Sequence, residues 1–251
     1  MWGIIPAAGK GTRIQPLAFS KELLPLSGFG KDNMHRPRAV SDFLVERLVI
    51  GGAQRICFVI SPEKSDILEY YGRSTPGASI CYSVQPRPTG LCDAIFCALP
   101  LIDLNQPVLV GLPDTIWFPE DGFRRLDDDR FSFLLFPVRD PQLFDSVEQD
   151  ENGLIRRIRV KDIHTTSNMI WGAFKLPGFV LHQLFDLWVE RNRSDEYIGT
   201  LVNAWIDRGG VAWGVPAGKT YHDVGTMDGY LEAMRMLSGG MGAVAAGQAF
   251  E

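Results

Sequence analysis

Two cations, Arg13 and Lys21, flank the Gly-rich run Ala7-Ala8-Gly9-Lys10-Gly11-Thr12-Arg13, which follows the short apolar stretch Trp2-Gly3-Ile4-Ile5. A strand that opens into such a loop presents backbone N–H groups to phosphate oxygens. Gly9 and Gly11 supply backbone freedom and leave no Cβ between chain and ligand. Arg13 can fork across two phosphate oxygens, whereas Lys21 acts as a point charge. An ordinary tight turn with two surface cations is the competing reading. Pro16 and Lys21-Glu22-Leu23-Leu24-Pro25 extend the pattern beyond a lone Gly-x-Gly and favour phosphate. The run fits neither the Walker pattern nor the three-glycine dinucleotide fingerprint.

Three further segments carry candidate chemistry. In Val84-Gln85-Pro86-Arg87-Pro88-Thr89-Gly90-Leu91, the Gln85 amide can donate to and accept from a pyrimidine edge, and Gly90 permits close approach. A Pro-stiffened loop with a solvated Gln is an equally good account of that segment taken alone. Leu109-Val110-Gly111-Leu112-Pro113-Asp114 ends an apolar run on a carboxylate suited to Mg²⁺, or to capping a helix. Tyr221-His222-Asp223-Val224-Gly225-Thr226 offers a second carboxylate at a turn, with His222 read as structural.

These segments need strands to position them. Ile56–Ile60 reads as a buried strand after an amphipathic helix over Val40–Ile50 that stops at Gly51-Gly52. Ser79–Val84, Val108–Gly111 and Phe131–Val138 read as strands, and Gly90–Leu99 as a helix. This rhythm predicts an α/β fold with a Rossmann-like, mostly parallel sheet flanked by helices. Ligands then bind beyond the carboxyl ends of the strands, where the candidate loops lie. Ser146–Glu148, Leu154–Val160 and Met169–Phe174 suggest a small antiparallel subregion. Helices are expected over Val180–Arg191, Thr200–Arg208 and Thr226–Leu237. The expectation is one domain over 1–238, with 239–251 a loose Gly/Ala-rich tail and no internal repeat.

With 251 residues, 45% hydrophobic and 22% charged, the chain can bury a full core. A net charge of −5 argues against broad nucleic-acid binding. No long apolar span suggests a membrane helix or signal peptide, so a cytoplasmic location is the default expectation. Cys57, Cys81, Cys92 and Cys97 show no C-x-x-C spacing, which predicts reduced thiols rather than a zinc site.

The first loop resembles the G-x-G-T-R-x-x-P and K-x-L-L-P signature of sugar nucleotidyltransferases, above all the glucose-1-phosphate thymidylyltransferase and uridylyltransferase branch. The resemblance is strongest over the first third and returns in patches almost to the end. It implies that Ala8, Gly9, Gly11, Thr12 and Arg13 bind nucleotide, and that Arg13 and Lys21 are catalytic. It further implies that Gln85 and Gly90, matching Q-P-x-P-x-G-L, contact a pyrimidine base, favouring dTTP or UTP. Asp114 and Asp223, the latter in a segment resembling W-x-D-x-G-T, become Mg²⁺ ligands by the same resemblance. Lys161 matches the Lys of E-K-P, Gly172 the Gly of T-G-x-Y-x-Y, and Arg193 a phosphate-binding Arg one residue out of step; all three imply sugar-phosphate binding. The partners implied are a nucleoside triphosphate and a sugar 1-phosphate, and a homo-oligomer is a family expectation.

Three glucose-contact positions depart from the pattern: Thr115 replaces Asn, Asp145 replaces Gly in the Y-G-V-V-E segment, and Val160 replaces Glu. Gly28–His35 is also longer than usual. A sugar other than glucose, or a second substrate that is not a simple hexose phosphate, is therefore expected. Two alternatives stay open. One is a non-catalytic nucleotide-binding homologue serving as sensor or partner subunit. The other is a nucleotide-sugar glycosyltransferase using the Asp-x-Asp spacing in Asp127-Asp128-Asp129.

Overall fold

Trp2–Pro6 forms the first strand, β1, buried along all five residues. Such a strand belongs at the centre of a sheet covered on both faces. The computed structural model describes residues 1–26 and 37–245. After β1 come the two-residue strands β2 (Pro25–Leu26) and β3 (Arg38–Ala39), then α1 (Val40–Ile50), β4 (Arg55–Ile60) and α2 (Ser65–Tyr71). The chain continues through β5 (Ser74–Thr75), β6 (Ala78–Val84), α3 (Leu91–Phe96), β7 (Pro107–Gly111), β8 (Thr115–Phe118) and β9 (Ser132–Pro137). Next are β10 (Asp145–Gln149), β11 (Ile155–Val160), β12 (Met169–Pro177), α4 (Gly178–Glu190) and α5 (Ile198–Asp207). Strands β13 (Trp213–Val215) and β14 (Thr220–Asp223) lead into α6 (Met227–Ala245).

The main sheet runs β11-β10-β12-β7-β1-β4-β6-β5, with β9 on β12 and β13 on β9. Its centre, β7-β1-β4-β6, is parallel, while β12, β10 and β11 add antiparallel to one side. The expected α/β fold with a parallel centre and an antiparallel subregion is therefore present. Side chains alternate across the sheet, as the strand period requires. Ile4, Cys57, Val59, Val108 and Val110 join the core containing residues of α3, α4 and α5. Ile5, Ile56, Phe58, Ile60 and Leu109 join the opposite core with residues of α1 and α2.

Several local expectations are corrected. The helix expected over Gly90–Leu99 is shorter, because α3 ends at Phe96 and a separate 3₁₀ turn occupies Leu99–Leu101. The last helix runs past Leu237 to Ala245, so residues 239–245 are helical backbone rather than a loose tail. The Gly28–His35 segment lies outside the described residues, as do residues 246–251. No described helix is long and apolar enough to cross a membrane.

Candidate functional site

The loop after β1 is tied down at its first residue, where the Ala7 N–H donates to the Val59 carbonyl at 2.7 Å. Ala8 is buried, whereas Gly9, Thr12 and Arg13 are exposed. Gly11 has φ +64, a left-handed conformation, and a Cβ there would lie 2.7 Å from Lys21 Cδ. Glycine is thus required twice: for the turn, and for the stem of Lys21 to pass beside it.

Lys21 begins a 3₁₀ turn, Lys21–Leu23, and its ammonium donates to Asp114 Oδ2 at 2.5 Å. Burial alone would lower the Lys21 pKa, but Asp114 and Glu22 more than offset it and hold the ammonium above its ordinary 10.5. Burial would likewise raise Asp114, yet Lys21 keeps its carboxyl below the ordinary 3.8. Lys21 stays protonated at neutral pH, which suits charge neutralisation and rules it out as a proton acceptor there.

Asp114 and Asp223 meet because β8 and β14 pair antiparallel, with Asp223 opposite Thr115. The Val224 N–H closes the ribbon on the Asp114 carbonyl at 2.8 Å. Arg13 Nη1 donates to Asp223 Oδ2 at 3.0 Å. A Cβ on Gly225 would lie 2.8 Å from Asp223 Oδ1, 2.9 Å from Asp114 Oδ2 and 3.0 Å from Arg13 Nη2. Arg13, Asp114 and Asp223, separated by up to 210 positions in sequence, therefore face one point, and Lys21 joins them through Asp114 Oδ2. Two hard carboxylate oxygens fit Mg²⁺, which takes one or two protein carboxylates and completes its shell with water and phosphate. Among the described residues no group of three or more His, Cys, Asp or Glu side chains could hold a metal. Any ion here would share its ligation with substrate.

Gln85 is buried at the end of β6, its N–H donating to the Ile60 carbonyl at 2.9 Å. Its Nε2 donates to Asp93 Oδ2 at 2.7 Å and to the Gly90 carbonyl at 3.1 Å. The amide is thereby oriented by α3 rather than solvated. At Gly90 the Cβ direction is filled: a Cβ would lie 2.7 Å from the Glu196 carbonyl oxygen. That same oxygen accepts the Leu91 N–H at 2.8 Å, so the chain before α5 caps α3.

On the antiparallel side, Lys161 is exposed, with Nζ 3.1 Å from the Tyr197 hydroxyl and over its ring. Gly172 lies under Tyr221, where a Cβ would come within 2.6 Å of the ring. Tyr221 packs against Phe136 and Phe144, and burial together with Asp223 and Asp114 pushes its hydroxyl pKa well up. Asp145 pairs with Val160 in register, and burial raises its carboxyl above the ordinary range despite Lys161. Thr115 is buried, its hydroxyl donating to the Leu112 carbonyl at 3.0 Å. Arg193 is exposed and packs over the Trp188 ring.

The Asp-x-Asp segment is built as structure. Asp128 pairs with Lys175, a buried cation that also donates to the Leu126 carbonyl at 2.9 Å, and Asp127 pairs with Arg130 at 3.5 Å. His222 Nδ1 lies 3.8 Å from Glu232 Oε2 on α6. All four cysteines are free thiols.

The nucleotidyl transferase family model matches residues 2–239. This chain belongs to the nucleotidyl transferase family. A glucose-1-phosphate thymidylyltransferase from Neisseria meningitidis is 30% identical over 161 residues, 61% of this chain and 52% of that protein. The chain thus matches about half the length of that relative. One from Mycolicibacterium smegmatis is 27% identical, covering 93% of this chain and 81% of the relative. In fold, this family member resembles the UTP-bound UGPase of Acinetobacter baumannii, with TM-score 0.75, 20% identity, and 94% and 92% of the two chains covered.

Two buried side chains of this nucleotidyl transferase escaped the sequence reading, Glu22 and Lys64. Glu22 sits inside the quoted K-x-L-L-P motif, and a charge at its free position was the available signal. Tyr221 is a third missed residue, and an aromatic two residues before the candidate ligand Asp223 is the signal that marks it.

Proposed function

We propose that this protein condenses a pyrimidine nucleoside triphosphate, dTTP or UTP, with a sugar 1-phosphate, giving a nucleotide sugar and pyrophosphate. The convergence of Arg13, Asp114 and Asp223 beside Gly225, with Lys21 bonded to Asp114, carries the reading. A sugar phosphate oxygen attacks the α-phosphorus in line, its bond forms as the α–β P–O bond breaks, and pyrophosphate leaves. The attacking phosphate is anionic near neutrality, since its second pKa is about 6, so no general base is needed. Positioning and charge neutralisation then supply the rate.

Arg13 and the loop N–H groups at Ala8, Gly9, Gly11 and Thr12 would hold the triphosphate. Lys21, permanently charged, would neutralise the α-phosphate and the incoming phosphate. Gln85 and Gly90 would face the base, with Asp93 fixing the Gln85 amide. Lys161 would orient the sugar phosphate, with Gly172 in the floor and Arg193 reaching in from its loop. Asp114 and Asp223 would hold Mg²⁺, which would supply positive charge to offset that of the reacting phosphates.

The test is pyrophosphate release with Mg²⁺, crossing dTTP, UTP, CTP, ATP and GTP with a panel of sugar 1-phosphates. Release with a pyrimidine triphosphate and one sugar, lost in Asp114→Ala, supports the reading. Tight nucleotide binding with no turnover anywhere would replace it with the sensor alternative.

A further inference from the structure

Lys21 is held on both sides by one short segment. The residue before it, Ser20, donates its N–H to Asp66 Oδ2 at 2.6 Å and its hydroxyl to Asp66 Oδ1 at 2.7 Å. The residue after it, Glu22, receives two bonds from Lys64 Nζ, at 2.7 and 2.8 Å. The same ammonium donates to the Ala7 carbonyl at 2.7 Å, at the start of the Gly-rich loop. Ser41 of α1 donates to the Glu22 carbonyl at 2.7 Å, fixing the turn from behind. Glu22 and Lys64 are 1% and 8% exposed, so these bonds are largely shielded from water.

A buried ion pair is a poor source of stability, because desolvation consumes most of its attraction. Its geometric effect is larger. Lys64 joins the loop that carries Arg13 to the turn that carries Lys21, and Asp66 grips that turn from its other end. We infer that Lys64 and Asp66 are positioning residues that set where the Lys21 ammonium stands relative to Asp114. In this role they act through the residues beside Lys21 rather than on substrate. The inference builds on the proposed role of Lys21 in phosphoryl transfer.

The experiment compares Lys64→Met, Asp66→Asn and the milder Ser20→Ala, each alone and combined with Lys21→Ala. Turnover uses the triphosphate and sugar 1-phosphate that react fastest in the panel. The second readout is the ¹⁵N signal of the Lys21 ammonium, identified by its loss in Lys21→Ala, which needs no turnover. Lys64→Met and Asp66→Asn should lower kcat by on the order of 10- to 100-fold, as displacement by an ångström does, with KM for the triphosphate little changed. In the Lys21→Ala background the same changes should cost about twofold or less, because groups acting through one residue are not additive. The Lys21 signal should move in both variants, and Lys64→Arg should restore part of kcat.

Equal losses with and without Lys21, or an unmoved Lys21 signal in folded Asp66→Asn and Ser20→Ala, would overturn the inference. If the wild type turns over no substrate pair, the proposed reaction fails, and the Lys21 signal alone still decides whether the brace exists.

Discussion

The two ends of the candidate cleft are built on different principles. At the parallel end, Lys21 is fixed by Gly11 beside its stem, by Asp66 and Lys64 on its flanks, and by Asp114 at its tip. At the antiparallel end, Lys161 and Arg193 stand exposed on left-handed backbone, φ 45 and 55, each leaning on an aromatic ring. A charge with several anchors has one position. A charge resting on a ring face, in water, can swing by an ångström at small cost. The first arrangement suits a group that must meet the same α-phosphate every time, and the second suits a partner whose shape varies.

The comparison is broken most severely at Asp114. Asp114→Ala removes the Lys21 partner and half of the proposed metal pair together. Pyrophosphate release should fall by about 10³-fold or more. A loss under tenfold would show that the centre does not depend on its carboxylates. Gly11→Ala is next. It forces a left-handed alanine, at roughly 1–2 kcal/mol, and drives a methyl into the Lys21 stem 2.7 Å away. Turnover should drop by about 10²-fold while the protein remains folded by circular dichroism. Wild-type rates would mean that Lys21 tolerates displacement, and the contrast between the two ends would disappear.

The adaptable end is probed by reverting its departures. Asp145→Gly with Thr115→Asn restores the residues the sugar nucleotidyltransferase pattern carries. The expected outcome is a gain of about tenfold in kcat/KM for glucose 1-phosphate relative to the wild type's preferred sugar, the scale of removing an unmatched polar group. An unchanged ratio would place sugar choice elsewhere.

The parallel end was legible from sequence because strand ends and glycine loops are dictated by local pattern. Ile4 and Ile5 before Gly9 and Gly11, and Val108–Val110 before Asp114, announce both the elements and the candidate residues in one run. The pairing of β8 with β14 was not legible, although Ile116-Trp117-Phe118 carried an apolar signal, because register between segments about a hundred residues apart has no local mark. The same holds at the start of α2: Lys64, just before it, and Asp66 look like surface charges until the fold sets Glu22 and Ser20 against them. The short α3 shows the converse, a helical pattern overruled where the Pro100 turn begins.

The brace makes a smaller, pH-dependent prediction. Burial pushes Glu22 above its ordinary 4.5, Lys64 and Lys21 offsetting this in part, and pushes Lys64 below its ordinary 10.5, with Glu22 the main opposing influence. For a carboxyl raised on folding, the native state binds more protons than the unfolded state, so stability declines as pH rises through that window. Wild type should therefore gain stability relative to Glu22→Gln as pH is lowered from neutrality toward 4.5, measured by urea unfolding. Glu22→Leu with Lys64→Met should stay within about 1 kcal/mol of wild type at pH 7, although turnover falls. Strong destabilisation of that double variant would mean the pair stabilises the fold as well as placing Lys21.

The least effect is expected at Asp127-Asp128-Asp129, and it decides between reaction classes. Asp128 is 66% exposed and partners Lys175, 4% exposed, which keeps its bond to the Leu126 carbonyl when the aspartate is removed. An exposed partner contributes about 0–1 kcal/mol. Asp127→Ala with Asp128→Ala should lower the melting temperature by a few degrees at most and leave pyrophosphate release within about twofold. A glycosyltransferase that used this spacing to hold its metal would instead lose activity completely. Both aspartates are already matched to cations, Arg130 and Lys175, an arrangement that a structural role explains without a metal.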